Sequence, residues 1–579
     1  MRPRNRFLAI GPLLLTACAL LFGPIWVMAP AQADVQQLTQ NPDNVYDFKV
    51  SPDGQWVVFS CLHYGTYIST LSLYSVSING GLPRRLAERV IQNSQYYPNV
   101  RDDFKISADS QRVLYFGRAS AAALPSPTPG GSTDNFPGFG LYSVPINGAT
   151  ASTLLADDPH VHRFAFSPNG LSVFYATGPD AENGLSASGY RSDLFRVPVN
   201  GGAPARVNID LPTDQSVAFD KWVVLDSGYV VYPVGMVDIA NPLLGSMGSV
   251  DLYSVPVDGT ANQSLKLTTC GTISLITGYR TTTDGQRIVF AGPDCDGQGV
   301  IRSVAPTGTN PVRLSPVGLA GWVTLVAVSA DDRFIVYSTS QTVNQQSLRN
   351  LYSAPIQGPS SDIRLVQSGS AGGINPVLLA LSPDGEWLAY ISANANITDL
   401  YVAARTGTTN SGRWVSNDSH YDARPVFSRD SRFLLYGTGG LMSLDVTSSA
   451  RPVSLGAQSS GIYHPLLIHP NTNRVVLTNS ADTVFSVPVT GAPATPIQIS
   501  HSPLALYTEP VITPNGLKIV YITHTFRQLY ISDIDRPYTA PTPVYSLPQG
   551  CNVGPLPTAT TGPTRTPFPT EYALFVPML

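Results

Sequence analysis

Charge is what this 579-residue sequence has least of: Asp, Glu, Lys and Arg together make up 13%, about half the usual share. With 39 acidic and 35 basic residues the formal net charge is −4, so nothing in the balance points to a nucleic-acid or anionic-membrane partner. Long apolar runs are missing after the amino-terminal segment, and no other stretch approaches the ~20 residues a spanning helix needs. The sequence has no Gly-x-Ser-x-Gly nucleophile elbow, no phosphate-binding Gly loop and no Cys-x-x-Cys pair. No α/β-patterned stretch follows that could house a hydrolase domain.

What is abundant is punctuation. The 49 Gly and 50 Pro suit many short strands joined by turns and suit long helices badly. Hydrophobic residues at 43% and aromatics at 9% are ample for a large core. The expected class is all-β.

Residues 1–33 read as a signal peptide. Arg2, Arg4 and Arg6 precede an almost wholly apolar run from Phe7 to Met28, and Ala31-Gln32-Ala33 fits a signal-peptidase site. Leu15-Thr16-Ala17-Cys18 resembles a lipobox, but the chain stays apolar past Cys18, which favours secretion over lipidation. Removing Cys18 leaves Cys61, Cys270, Cys295 and Cys551, an even set suited to an oxidising compartment.

A hairpin phrase recurs along the chain. It first reads Phe48-Lys49-Val50-Ser51-Pro52-Asp53-Gly54-Gln55-Trp56-Val57-Val58-Phe59. It returns at Ser107, Ser167, Thr282, Ser329, Ser382, Ser428 and Thr513, with weaker copies at Leu225 and His469, ten in all. Pro presets φ, Asp or Asn bonds the turn backbone, and Gly accepts positive φ. A second phrase follows, as in Leu73-Tyr74-Ser75-Val76-Ser77-Ile78-Asn79-Gly80, Leu141-Tyr142 and Leu252-Tyr253. It supplies a third strand, a tight turn and a short fourth strand. Gly54 and Gly516 stand 462 residues apart over nine intervals, about 51 residues per repeat, the spacing of a four-stranded propeller blade.

These phrases resemble the WD40-like propeller repeat of TolB, a bacterial secreted protein, and of the propeller domains of prolyl-oligopeptidase-type peptidases. The resemblance covers residues 45 to about 550 and implies a β-propeller of about ten four-stranded antiparallel blades across residues 34–550. One large ring or two smaller rings satisfy the count, and the unbroken repeats favour one. The peptidases need a second domain that this sequence lacks, so their activity does not carry over.

On such a scaffold the tight turns share one face, and the connections between second and third strands occupy the other. The variable connections Gly117–Gly140, Thr177–Arg191, Gly292–Gly299 and Ser338–Arg349 make that second face the expected ligand side. Four residues before the hairpin turn, at the start of the innermost strand, six of the ten blades carry a charged residue: Asp47, Asp103, Arg163, Lys221, Arg424 and Glu509. They are candidate ligand-binding residues at a channel mouth. His160 and His162 alternate as a metal pair on one side of a strand would, although no further histidines complete a set. The blade positions favour disulfides Cys270–Cys295 and Cys61–Cys551, the latter clasping a ring shut.

Residues 551–579 form a Pro/Thr-rich linker and a short apolar tail, Tyr572 to Leu579, a candidate surface attachment. The expected function is that of a secreted, non-catalytic module binding a protein, peptide or polymer, with no resident cofactor. The alternative is a polysaccharide lyase or hydrolase acting on the same face, with a metal at His160 and His162.

Overall fold

The computed structural model describes residues 36–534 apart from several connections, the longest being 93–103, 118–139, 178–191, 237–248, 367–374, 417–424 and 456–466. The signal segment, Cys18, Cys551 and the Pro/Thr-rich tail lie outside the described residues.

Among the described residues forty-two strands form ten antiparallel sheets, each a blade of the predicted repeat. Blade 1 contains Val45–Val50, Trp56–His63, Ile68–Ser77 and Arg84–Gln92. Blades 2 to 9 follow in chain order, each pairing first with second, second with third and third with fourth strand. Blade 4 departs in detail. Two short pieces, Gln215–Val217 and Val223–Leu225, share one partner as its first strand, and two more pieces make its outer edge. Blade 10 takes its outermost strand from the other end of the chain: Gln36 and Gln37 pair with Ile531 and Tyr530.

The ring is single and closed. Ten buried apolar clusters each straddle one pair of neighbouring blades. One of them joins Val45, Phe48 and Val57 of blade 1 to Val520, Ile522 and Ile531 of blade 10. Strands buried on both faces explain the continuous apolar runs, such as Val57-Val58-Phe59, because each blade face packs against a neighbour.

The Leu-Tyr phrase has a packing reason. In seven blades an aromatic on the second strand lies opposite an aromatic on the third and stacks on it, as with Phe59–Tyr74, Tyr337–Tyr352 and Tyr521–Tyr530 at 5.2–5.9 Å between ring centres. Such cross-strand pairs contribute beyond the area they bury. Pro145, Pro198 and Pro256 each end a third strand, where a missing N–H costs no ladder bond.

The hairpin turns are alike in bonding. In blade 1 the Ser51 Oγ accepts the Trp56 N–H (2.9 Å) and donates to Asp53, whose carboxylate accepts the Gln55 N–H (2.9 Å). His469 does the work of Ser in blade 9: its Nδ1 accepts the N–H groups of Asn471 and Thr472, and its Nε2 lies 2.6 Å from the Gly516 carbonyl of blade 10. Ser110, Asp332 and Ser431 occupy the glycine place with φ near +60°, a conformation costly for residues with a Cβ. Each bonds the turn of the preceding blade: Asp53 N–H to Ser110 (3.0 Å), Thr283 N–H to Asp332 (2.8 Å) and Asp384 N–H to Ser431 (3.0 Å). The turn face is thus laced from blade to blade.

One expected loop is a strand pair. Ser338–Arg349 falls within Phe334–Val343 and Gln346–Pro355, two ten-residue strands that pair to their tips. The backbone ladder continues outward from Thr339↔Asn350 to Val343↔Gln346.

Candidate functional site

The first strands of the blades surround the axis, and their chemistry changes halfway round. Blades 1 to 5 carry Lys49, Lys105, Arg163, Lys221 and Arg280 on or beside the first strand, the last two exposed. Among the described residues the first strands of blades 6 to 10 carry no Lys or Arg, and Val326, Leu379, Leu381, Val426 and Ile468 stand there half-buried.

Aromatic rings seat the basic arc. Lys49 Nζ donates to the Phe104 carbonyl (2.7 Å) and lies 4.6 Å from the Phe104 ring centre, reaching from blade 1 to blade 2. The Arg163 guanidinium of blade 3 lies 5.5 Å from the ring centre of Trp222 in blade 4, which is 1% exposed. Tyr279 of blade 5 donates to the Lys221 carbonyl (2.5 Å). Burial pushes the Tyr279 hydroxyl well above its ordinary pKa, with Arg163 pulling it partly back, so it stays a neutral donor. Cation over ring is a favourable contact that also fixes where each charge stands.

Opposite, blades 5 to 8 line an open hollow of about 550 Å³ at the turn end of the axis, a size that suits a small molecule or a few side chains. Val328, Leu379, Leu381, Val426 and Phe427 give it an apolar wall. Its acid, Asp332, is already engaged by the N–H groups of Thr283 and Asp284.

The ring order makes blades 10 and 1 neighbours, with Asp47 on the first strand of blade 1 and Glu509 two residues before that of blade 10, Val511–Ile512. Glu509 is exposed, and Asp47 sits at a bulge accepting the Phe48 N–H (2.8 Å). Arg163 stands at the matching bulge of blade 3; bulges re-aim side chains at functional edges. Asp103, Arg424 and His160 lie outside the described residues, as does the His162 side chain, so the proposed metal pair is not placed. Among the described residues no three His, Cys, Asp or Glu converge.

Cys270 and Cys295 are bonded, with Cα atoms 4.6 Å apart, within the usual span. They join the outer edge of blade 4 to the connection between second and third strands of blade 5. Cys61 is buried and also disulfide-bonded.

The perturbed carboxyls belong to the turns. The Ser107 hydroxyl and the Gln111 N–H hold Asp109 below the usual range. Burial of Asp331 and Asp430 opposes their ionisation, but the hydroxyls of Ser329 and Ser428 and neighbouring Arg333 and Arg432 outweigh it and hold both low. Sequence reasoning missed Trp222, Tyr279 and the cavity. A signal existed: three residues before the turn, blades 1 to 5 carry Phe48, Phe104, Phe164, Trp222 and Tyr279, whereas later blades carry Leu379, Pro425 and Pro510.

No protein-family model and no curated protein matches the sequence. By structure the chain is similar to a prolyl endopeptidase, with a TM-score of 0.32 and 11% identity over 71% of this chain and 55% of that one. The chain therefore spans about half that enzyme's length. It is also similar to the Dos1 propeller, with a TM-score of 0.34 and 11% identity over 66% of this chain and 94% of that one. Ten four-stranded antiparallel blades in sequence order, closed by a strand from the opposite terminus, make this chain a β-propeller repeat protein.

Proposed function

We propose that this protein is a secreted, non-catalytic binding propeller that receives part of a protein, peptide or polymer in its central channel. The observation that carries this reading is the divided channel, basic on blades 1 to 5, where buried rings seat the charges, and apolar on blades 6 to 8, with a hollow at one end. A surface of that kind recognises a ligand without needing a reacting group. The turn carboxyls with lowered pKa are engaged in holding backbone, which favours binding over acid–base chemistry. The Cys270–Cys295 bond and the apolar amino-terminal segment support an oxidising destination.

Probing peptide arrays and a panel of acidic and neutral polysaccharides tests it. Asp47→Lys and Glu509→Lys are expected to change affinity for any ligand found while leaving the melting temperature near its original value. Loss of binding on changing Asn79 or Asn147, in variants that stay folded, would move the site to the outer turns and overturn the assignment.

A further inference from the structure

The cavity and the basic arc together specify more than a place. Nine of the fourteen residues around the cavity are Ala, Val, Leu, Phe or Pro, so its favourable occupant is apolar. Its polar groups are largely engaged already: Ser329 and Ser382 bond within their own turns, and the Asp332 carboxylate holds two backbone N–H groups. A ligand polar throughout finds few free partners there and loses hydration on entering.

One strand joins the two chemistries. Thr281 lies in the cavity wall, and its chain neighbour Arg280 is exposed at the edge of the basic arc. Lys221, also exposed, stands on the adjoining blade. The inner strands of blades 1 to 5 thus bring five cations against Asp47 and, from blade 10, Glu509. Among the residues that line the hollow the acid is Asp332, whose carboxylate accepts two backbone N–H groups, while Asp331 and Asp384 beside it are bonded within their own turns. The field across the axis favours a negative group on one side and hydrocarbon on the other.

We infer that the channel binds an amphipathic carboxylate, its apolar chain in the cavity between blades 5 and 8 and its charged head toward Arg280 and Lys221. This rests on the channel being the binding site and names the chemistry of what it takes. The head keeps partial hydration, so the ion pair steers and orients while the apolar chain supplies most of the affinity.

Calorimetric titration of the whole protein with sodium decanoate, below its micellar concentration, tests the inference against decyltrimethylammonium, which has the same chain and opposite charge. Decanoate is expected to bind at one site, and the cationic probe roughly 10-fold or more weaker. Arg280→Ala is expected to weaken decanoate by about 10-fold, with Arg280→Lys restoring most of it. Leu379→Asp is expected to abolish binding, with circular dichroism and melting confirming the fold; should it unfold, Ala380→Leu, which fills the same wall without adding charge, replaces it. Equal binding of both probes, binding indifferent to the wall substitutions, or no decanoate binding overturns the inference. If decanoate fails while peptide or polysaccharide ligands bind and respond to Asp47→Lys, the binding reading stands and only the ligand class falls. If nothing binds in either experiment, both fall.

Discussion

The backbone N–H of Val45 donates to the Arg527 carbonyl at 3.0 Å, and the Arg527 guanidinium donates back to the Val45 carbonyl at 2.9 Å. This reciprocal contact joins blade 1 to blade 10 across 482 residues of sequence. The same guanidinium reaches the Tyr46 carbonyl. Arg527→Ala leaves two carbonyls without that donor and is expected to cost about 1–3 kcal/mol. Arg432→Ala, which removes a pair whose guanidinium is 56% exposed although its partner Asp445 is largely covered, is expected to cost less. Urea unfolding of both variants checks the contrast, and equal effects would show that closure does not depend on this contact.

The three residues at positive φ in the glycine place make a paired prediction. Ser431→Ala keeps the backbone strain and removes the acceptor for the Asp384 N–H, so it is expected to destabilise by about 1–2 kcal/mol. Ser431→Gly loses the same bond but relieves the strain, so it is expected to stay within about 0.5 kcal/mol of the parent. Melting curves of the two variants decide it. If glycine proves as harmful as alanine, the hydrogen bond alone maintains serine there.

Acid stability follows from the turn carboxyls. Asp109, Asp331 and Asp430 have folded pKa values below the ordinary carboxyl value of 3.8. Each therefore contributes stability above that value, and the contribution is lost as pH falls through the lower folded value. Stability is expected to be nearly level from pH 7 to 5 and to decline below about pH 4. Asp109→Asn and Asp430→Asn together are expected to flatten that decline. Unfolding midpoints at pH 7 and pH 3 measure it, and an unchanged slope in the double variant would exclude the turns as its source.

The Cys270–Cys295 bond closes a loop of 25 residues and is expected to contribute about 3 kcal/mol in the loop-entropy picture. A variant with both cysteines replaced by alanine should melt lower under non-reducing conditions and match the parent under reducing ones. Peptide mapping without reductant should also recover Cys61 joined to Cys551. Recovery of Cys61 with Cys270 or Cys295 would contradict both pairings.

Much of this architecture was legible because turns and strands leave short-range marks. Ser-Pro-Asp-Gly fixed ten hairpins in register, Leu-Tyr marked the third strand, and the weak copies at Leu225 and His469 proved to be real turns. His469 was hard to read because an imidazole nitrogen replaces a hydroxyl as acceptor, an equivalence of geometry that residue type does not display. The closing strand escaped notice since two residues, Gln36 and Gln37, carry no period. The cavity was hidden for another reason: it arises where small and branched residues from four blades, Ala380 and Val426 among them, leave space that no single repeat encloses. The ligand side was expected on the long connections, whereas the described cavity lies by the turns, whose own bonding is local and whose assembly around the axis is not.

Gln36 and Gln37 also impose an order in time. As the chain is made, these residues appear early, and their partner strand, Leu529–Asp533, is among the last parts of the propeller to be synthesised. Until they meet, blade 10 lacks its outer strand and presents an open edge, the kind of surface on which another chain can pair. The ring is therefore most exposed to misassembly at its final step. Shortening the segment before Val45 should accordingly lower the yield of folded protein more than it lowers the melting temperature of the molecules that do close.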